Sequence, residues 1–268
     1  PFVTNNYFFQ LKLNTKIMKF LNSILIVFTL IFLTFTSCKK DEEQAKSGNV
    51  TIEFDHVWGS TEGEFSLNGE LTHPMLGEKM TFTTFKYYVS NVRLKAKDGS
   101  YYTMPESYFI VDADVSGSNK AVIPNVPAGE YTDVELMFGV DSTRCSSGAQ
   151  TGALDPAKGL FWSWSSGYIM VKAEGNAPTA ADGSFAFHLG GFKGVNKVQT
   201  TKSYNFGSTA LVVDGDREAE IHMVANPARL WHGAEKLAVK SVNTMPNALA
   251  KSMSTNFYDA VRFDHIHN

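Results

Sequence analysis

The sequence predicts an all-β fold, an antiparallel β-sandwich with Greek-key-like connections and a short C-terminal helix. Three observations predict it. Short segments rich in Val, Ile, Thr, Tyr and Phe recur from Val50 to Val224, turn dipeptides separate them, and one stretch near the end changes to helical spacing. Many short strands punctuated by turns are the pattern of two packed sheets.

In chain order, Val50-Thr51-Ile52-Glu53-Phe54-Asp55 alternates apolar and polar residues, as a half-buried strand does. Residues 85–96 are aromatic and β-branched and close on Asp98-Gly99, a hairpin signal. Residues 131–140, 167–173, 184–189, 204–213 and 218–224 repeat the theme, with turns at Pro127-Ala128-Gly129, Asp182-Gly183 and Asp214-Gly215. Residues 247–260 carry Leu249, Met253, Phe257 and Ala260 near helical spacing, with Pro246 as the entry, so a helix packs there and delivers Phe263-Asp264-His265-Ile266-His267.

The N-terminal region has a different texture. Residues 1–17 carry no assignable composition, and Met18-Lys19 opens a signal-like layout: one positive charge, an apolar run from Ile24 to Leu33, then small polar residues up to Cys38. The run falls short of the roughly 20 residues that cross a bilayer and reads as a secretory signal peptide. Residues 1–38 are therefore expected to be an over-extended N-terminus plus a lipoprotein signal peptide. Leu33-Thr34-Phe35-Thr36-Ser37-Cys38 resembles a loose bacterial lipobox, which implies acylation of Cys38. Lys39-Lys40-Asp41-Glu42-Glu43 resembles the signal that exports lipoproteins of the Bacteroidetes to the outer face of the outer membrane. Residues 39–49 are read as a linker carrying that signal, and residues 50–268 as one domain.

Charge and cysteine content narrow the function. The chain has 24 Lys+Arg against 27 Asp+Glu. Three of the bases (Lys12, Lys16, Lys19) and none of the acids precede Cys38, so the expected mature chain is mildly acidic and has no basic cluster after Lys39-Lys40. Nucleic acid is not an expected partner. With Cys38 acylated, Cys145 is the remaining thiol, so the fold is expected to hold without an internal disulfide.

The chemistry-bearing residues are the histidines. His56 follows Phe54-Asp55, His188 follows Phe185-Ala186-Phe187, and His265 and His267 close the sequence with the spacing of two side chains on one strand face. Imidazole is the commonest side-chain metal ligand and suits copper, zinc, iron or nickel. The expectation is that His56, His188, His265 and His267 converge on one ion. Each also has a plainer reading: His188 as a core histidine in an aromatic strand, His265 and His267 as a solvated tail. Phe-Asp-His occurs at both 54–56 and 263–265, and the repeat suggests either carboxylates supporting imidazoles across a sheet or pairing of the first and last strands. His73 falls before Pro74 in a loop, His222 shows no cluster beside Ile221 and Met223, and His232 sits at a turn, so these three rank lower. Methionines are scattered, and Cys145 lies in a loop where a soft ligand is conceivable but an incidental thiol is the simpler reading.

Several segments together resemble one family. Phe85-x-Tyr87-Tyr88-Val89-Ser90-Asn91-Val92-Arg93-Leu94, Val126-Pro127-Ala128-Gly129-Glu130-Tyr131, Phe138-Gly139-Val140-Asp141, residues 160–168 around Phe161-Trp162-Ser163-Trp164, and Phe187-His188-Leu189-Gly190-Gly191 occur in the order found in the MbnP-like (methanobactin-partner) domain, which the closing Phe263-Asp264-His265-Ile266-His267-Asn268 also resembles in its Bacteroidetes branch. The resemblance implies periplasmic or cell-surface copper handling, often beside a dihaem peroxidase-like partner that oxidises a tryptophan to kynurenine in some relatives. Trp162 and Trp164 are where such a modification is placed here, with Trp58, two residues from His56, as the second candidate. Core packing is the plainer role for Trp162 and Trp164, which alternate with serines and share one strand face.

No Gly-x-Ser-x-Gly elbow, His-Glu-x-x-His or phosphate-cradling glycine loop is present, so an enzyme is not expected. Asp214-Gly215-Asp216-Arg217-Glu218 has alternate acids but lacks the remaining ligands of a calcium loop. Two functions stay open. One is an outer-membrane lipoprotein that binds copper, or alternatively zinc, for capture or handover; the other is a metal-free recognition or structural module that presents loops to glycans, peptides or an outer-membrane transporter.

Overall fold

Residues 46–268, apart from 76, 149, 164 and 232–240, are described by the structure, a computed structural model. The expected signal peptide, Cys38, the Lys39-Lys40-Asp41-Glu42-Glu43 signal, Trp164 and His232 lie outside the described residues.

Strands dominate, as the alternating segments require. They are β1 (Ser47–Trp58), β2 (Gly63–Glu64), β3 (Leu71–Thr72), β4 (Lys79–Ala96), β5 (Tyr101–Thr103), β6 (Tyr108–Asp112), β7 (Lys120–Pro127) and β8 (Gly129–Phe138), followed by β9 (Phe161–Ser163), β10 (Gly167–Asn176), β11 (Ser184–Gly190), β12 (Thr200–Asn205), β13 (Leu211–Val213), β14 (Ala219–Ala225), β15 (Val242–Asn243) and β16 (Arg262–His267). Among the described residues two α-helices join them: a short α1 (Ser142–Ser146), capped by the Asp141 carboxylate, and α2 (Ala248–Ala260). Asn247 caps α2 by accepting from the Ala250 amide at 2.8 Å, directly after the expected Pro246 entry.

The described strands form two sheets. The smaller runs β16-β14-β1-β2, with β7 also on β1; the larger runs β12-β8-β4-β10-β11-β15, with β3, β5 and β6 on β4, β13 on β8 and β9 on β10. The fold is the expected sandwich, with two departures from a purely antiparallel one. β1 pairs β14 in parallel, and β11 pairs β15 in parallel.

Three sequence expectations need correction. The linker was expected to run to residue 49, yet Ser47 and Gly48 already pair with Pro127 and Val126 of β7. Residues 204–213 do not form one strand, because the turn at Gly207, with φ 74°, separates β12 from β13. The first and last strands do not pair; β1 and β16 lie on opposite sides of β14, so the repeated Phe-Asp-His flanks a common neighbour.

The core lies between the sheets. Val50, Ile52 and Phe54 alternate inward from β1, and the Phe54 ring meets Tyr87 of β4 edge-on at 6.0 Å. Helix α2 adds Phe257, edge-on to Phe85 and Tyr87 at 5.4 and 5.1 Å, and Tyr258, stacked on Phe138 at 4.9 Å. Fully buried aromatics on both sheets and the helix supply much of the apolar area that the core removes from water. Cys145 is free and buried in α1, and burial pushes its thiol up to about 12, which makes it a packing residue rather than a soft ligand.

Candidate metal centre

Strand alternation decides which histidines can meet. Along β1 the even-numbered residues Val50, Ile52 and Phe54 face the core, and the odd-numbered Thr51, Glu53 and Asp55 face outward. His56 follows the inward set: its ring contacts Phe65, Phe85 and Tyr87 edge-on at 5.5 to 5.9 Å, and its Nε2 lies 3.3 Å from the Tyr87 hydroxyl. Burial in this aromatic box pushes the imidazole down to about 4, so His56 is neutral over the ordinary pH range.

His188 belongs to the other sheet. It alternates away from buried Phe187 and Leu189, and its Nε2 lies 2.6 Å from Glu174 Oε1 on β10, with Lys172 Nζ 3.4 Å from the same oxygen. Burial alone would raise the Glu174 carboxyl, but the His188 bond and Lys172 outweigh it and hold the carboxyl low. The expected convergence of four histidines does not occur. His56 points between the sheets and His188 outward from the larger one, and the layers of a sandwich stand about 10 Å apart.

His265 and His267 do come together, and the third member is His222, which the sequence ranked low. The parallel pairing of β1 with β14 sets Glu53 opposite His222, and the antiparallel pairing of β14 with β16 sets His222 opposite His265 and Glu220 opposite His267. All face away from the core while Ile221 and Met223 fill it. The His222 and His265 rings stack at 4.4 Å, His267 meets both edge-on at 5.0 and 4.8 Å, and His265 Nε2 and His267 Nε2 are 3.0 Å apart. Each of the three imidazoles offers a nitrogen within 4.8 Å of the others.

A β-bulge orients one of them. The register skips from His222–His265 to Met223–Phe263, which leaves Asp264 as the extra residue on β16. In a regular strand Asp264 would point opposite to His265; here its Oδ2 lies 2.8 Å from His265 Nδ1. An ionised carboxylate only accepts, so His265 Nδ1 carries the proton and Nε2 keeps its lone pair for an ion. Bonds from Arg262 first, and His265 second, hold the Asp264 carboxyl below its usual range. The other Asp-His pair works across strands, with Asp55 Oδ2 3.4 Å from His222 Nδ1. The two carboxylates thus support imidazoles by different routes.

The donor set fits a borderline transition-metal ion. Two nitrogens bound to one ion at about 2.1 Å lie roughly 3.0–3.4 Å apart, depending on the angle between them. The 3.0 Å between His265 Nε2 and His267 Nε2 falls in that range and is equally a hydrogen-bond distance, and both side chains are exposed on β16.

Of the tryptophans named as modification candidates, Trp58 and Trp162 lie away from the three imidazoles. Trp58 is buried, donates from Nε1 to the Thr72 carbonyl at 2.9 Å and stacks on Phe65. Trp162 is half-buried on β9 with its ring over Gly190, where an added Cβ would come within 2.7 Å of it.

A family model for MbnP matches residues 47–248, the greater part of the chain. The chain belongs to the MbnP family. Among solved structures it is similar to MbnP from Methylosinus trichosporium, at 13% sequence identity and a TM-score of 0.49, over 77% of this chain and 87% of that one. A comparison with curated proteins finds no match. The family match ends before β16, so two of the three clustered imidazoles lie outside the matched residues.

Proposed function

We propose that this MbnP-family chain is a copper-binding lipoprotein of the outer membrane that captures the metal or hands it to a partner, with zinc as the alternative ion. His222, His265 and His267 are the ligands in this reading, and the role is non-enzymatic. One observation carries it: three imidazoles from two paired strands offer nitrogens within 4.8 Å of one another, with the Asp264 carboxylate fixing the tautomer of the middle one. The relation of the family to methanobactin-associated, copper-related proteins supplies the choice of metal. A dihaem peroxidase-like protein or an outer-membrane transporter remains the kind of partner expected, and Cys38 the expected lipid attachment.

The test is metal content and titration of the purified protein. The expected outcome is one copper or zinc per chain, lost in His222→Ala and in His265→Ala and kept in His188→Ala. Stoichiometric metal that survives both of the first changes, or leaves with His188→Ala, would overturn the ligand assignment. No binding of either ion would favour a metal-free recognition module.

A further inference from the structure

Two stretches of the chain, residues 183–213 and 241–258, contain no acidic residue, although acids outnumber bases 27 to 24 over the whole sequence. The first carries Lys193, Lys197 and Lys202, and the second carries Lys251. The fold brings the two together. The turn Gly194–Asn196 lies against the start of α2, where Lys251 Nζ donates to the Val195 carbonyl at 2.8 Å, and β15 pairs beside β11 in the larger sheet.

The charge on this surface is not neutralised. Lys202 pairs with Asp259, but Lys193, Lys197 and Lys251 have no carboxylate within 4.0 Å among the described residues. Elsewhere the exposed bases are mostly paired, as Lys46, Lys79, Lys97 and Arg262 are. The first turn of α2 opens on the same surface and adds the positive end of its dipole.

Apolar side chains stand among these lysines. Val195 is 83% exposed, Met245 61% and Val242 55%, and the first two are the most exposed large hydrophobics of the described residues. Asn243 braces the turn that carries Val242 and Met245: its Nδ2 donates to the Met245 carbonyl at 3.2 Å, and its Oδ1 accepts from Asn247 Nδ2 at 2.6 Å.

The residue types say what such a surface meets. Protein interfaces are anchored by Trp, Tyr and Arg and are poor in Lys, and none of those anchors is exposed here. Aliphatic tips ringed by lysines suit an anionic bilayer: the tips enter the boundary between headgroups and acyl chains, and the lysine stems lie along it with their ammonium groups at the phosphates. We infer that the surface formed by Val195, Val242 and Met245 with Lys193, Lys197 and Lys251 docks the domain onto anionic lipid headgroups. The inference is independent of the metal ligands and rests on the lipid-anchor part of the reading above, since a patch this small holds a bilayer only when a tether raises its effective concentration there.

The test uses the acylated full chain, purified from its envelope and reconstituted on vesicles of phosphatidylcholine alone or mixed with phosphatidylglycerol. An environment-sensitive fluorophore is attached at Thr244→Cys, between Val242 and Met245, or at the exposed Ser116→Cys as a control, with Cys145 protected by burial. The Thr244 probe should shift to the blue on the phosphatidylglycerol vesicles alone, and about 1 M salt, which cuts the screening length to about 3 Å, should reverse the shift. Lys193→Gln and Lys197→Gln should each lower the ratio of docked to undocked chain about fivefold, and the Ser116 probe should not respond. A chain that stays anchored to the vesicles with no shift at Thr244, or with the same shift on both compositions, would overturn the docking inference and leave the anchor standing; the first result would favour an acidic protein as the occupant. A chain that associates with neither vesicle would overturn both.

Discussion

His56 and His222 sit on neighbouring strands of one sheet and have opposite fates, because strand alternation sends one inward and the other outward. The sequence placed His56 among the four leading candidates, since it ends an alternating strand beside Asp55. That alternation is the reason it is buried: Val50, Ile52 and Phe54 set the inward parity, and His56 continues it. His222 looked isolated because its sequence neighbours, Ile221 and Met223, are core residues. The same alternation places His222 with Glu220 on the outer face, a signal that was present and underweighted. Burial of neutral His56 has a measurable consequence. Its folded value of about 4 lies below the unfolded value of about 6.5, so the unfolded chain takes up the proton first. Stability from this residue is complete above pH 6.5 and falls by about 3 kcal/mol as the pH drops to 4. Urea denaturation of His56→Phe at pH 7 and pH 4.5 should show a smaller loss between the two pH values than the native chain, on top of a constant cost of about 1–3 kcal/mol from the unpaired Tyr87 hydroxyl. An unchanged difference between the two pH values would show that His56 is not held neutral.

At the scale of elements, β16 carries two ligands and the bulge that orients them, and it is an edge strand bonded on one side to β14. Its His-x-His spacing was legible, because a period of two puts both rings on one face in any strand. Its neighbour was not, since residues 219–225 and 262–267 are joined by a helix and by residues 232–240, and no local pattern specifies which strand pairs where or in what register. The bulge at Asp264 was equally hidden. An adjacent Asp-His pair in a regular strand diverges, and only an extra residue in the ladder brings the two side chains together. An edge strand with one set of ladder bonds opens more readily than a central one. An ion that ties His265 and His267 to His222 should close that difference, so hydrogen exchange of the β16 amides is expected to slow several-fold on loading with Zn(II), while the β1 and β4 amides change little. Equal slowing across both sheets would instead indicate general stabilisation with no strap across β14 and β16.

Across the whole molecule the binding face and the packing face are separate surfaces of the same small sheet. The all-β class and the helix were legible because they rest on local periodicity, and the parallel pairing of β1 with β14 was not, because it joins segments far apart in sequence. That pairing is what builds the site, since it sets Glu53 and Asp55 beside His222. The core is held from the other side, where Phe257 of α2 packs on Phe85 and Tyr87 of the larger sheet. Removing that ring should therefore cost stability without altering the ligands. Phe257→Ala is expected to lower the unfolding free energy by about 3–5 kcal/mol, a large share of a typical domain's 5–15 kcal/mol. Metal stoichiometry under native conditions should stay at that of the unaltered chain, and saturating Zn(II) should recover part of the lost stability because it binds the folded form alone. A Phe257→Ala protein that keeps its strand signal in circular dichroism but no longer binds the ion would show that the register of β14 against β1 depends on the helix, and that the outer face is not set by the small sheet alone.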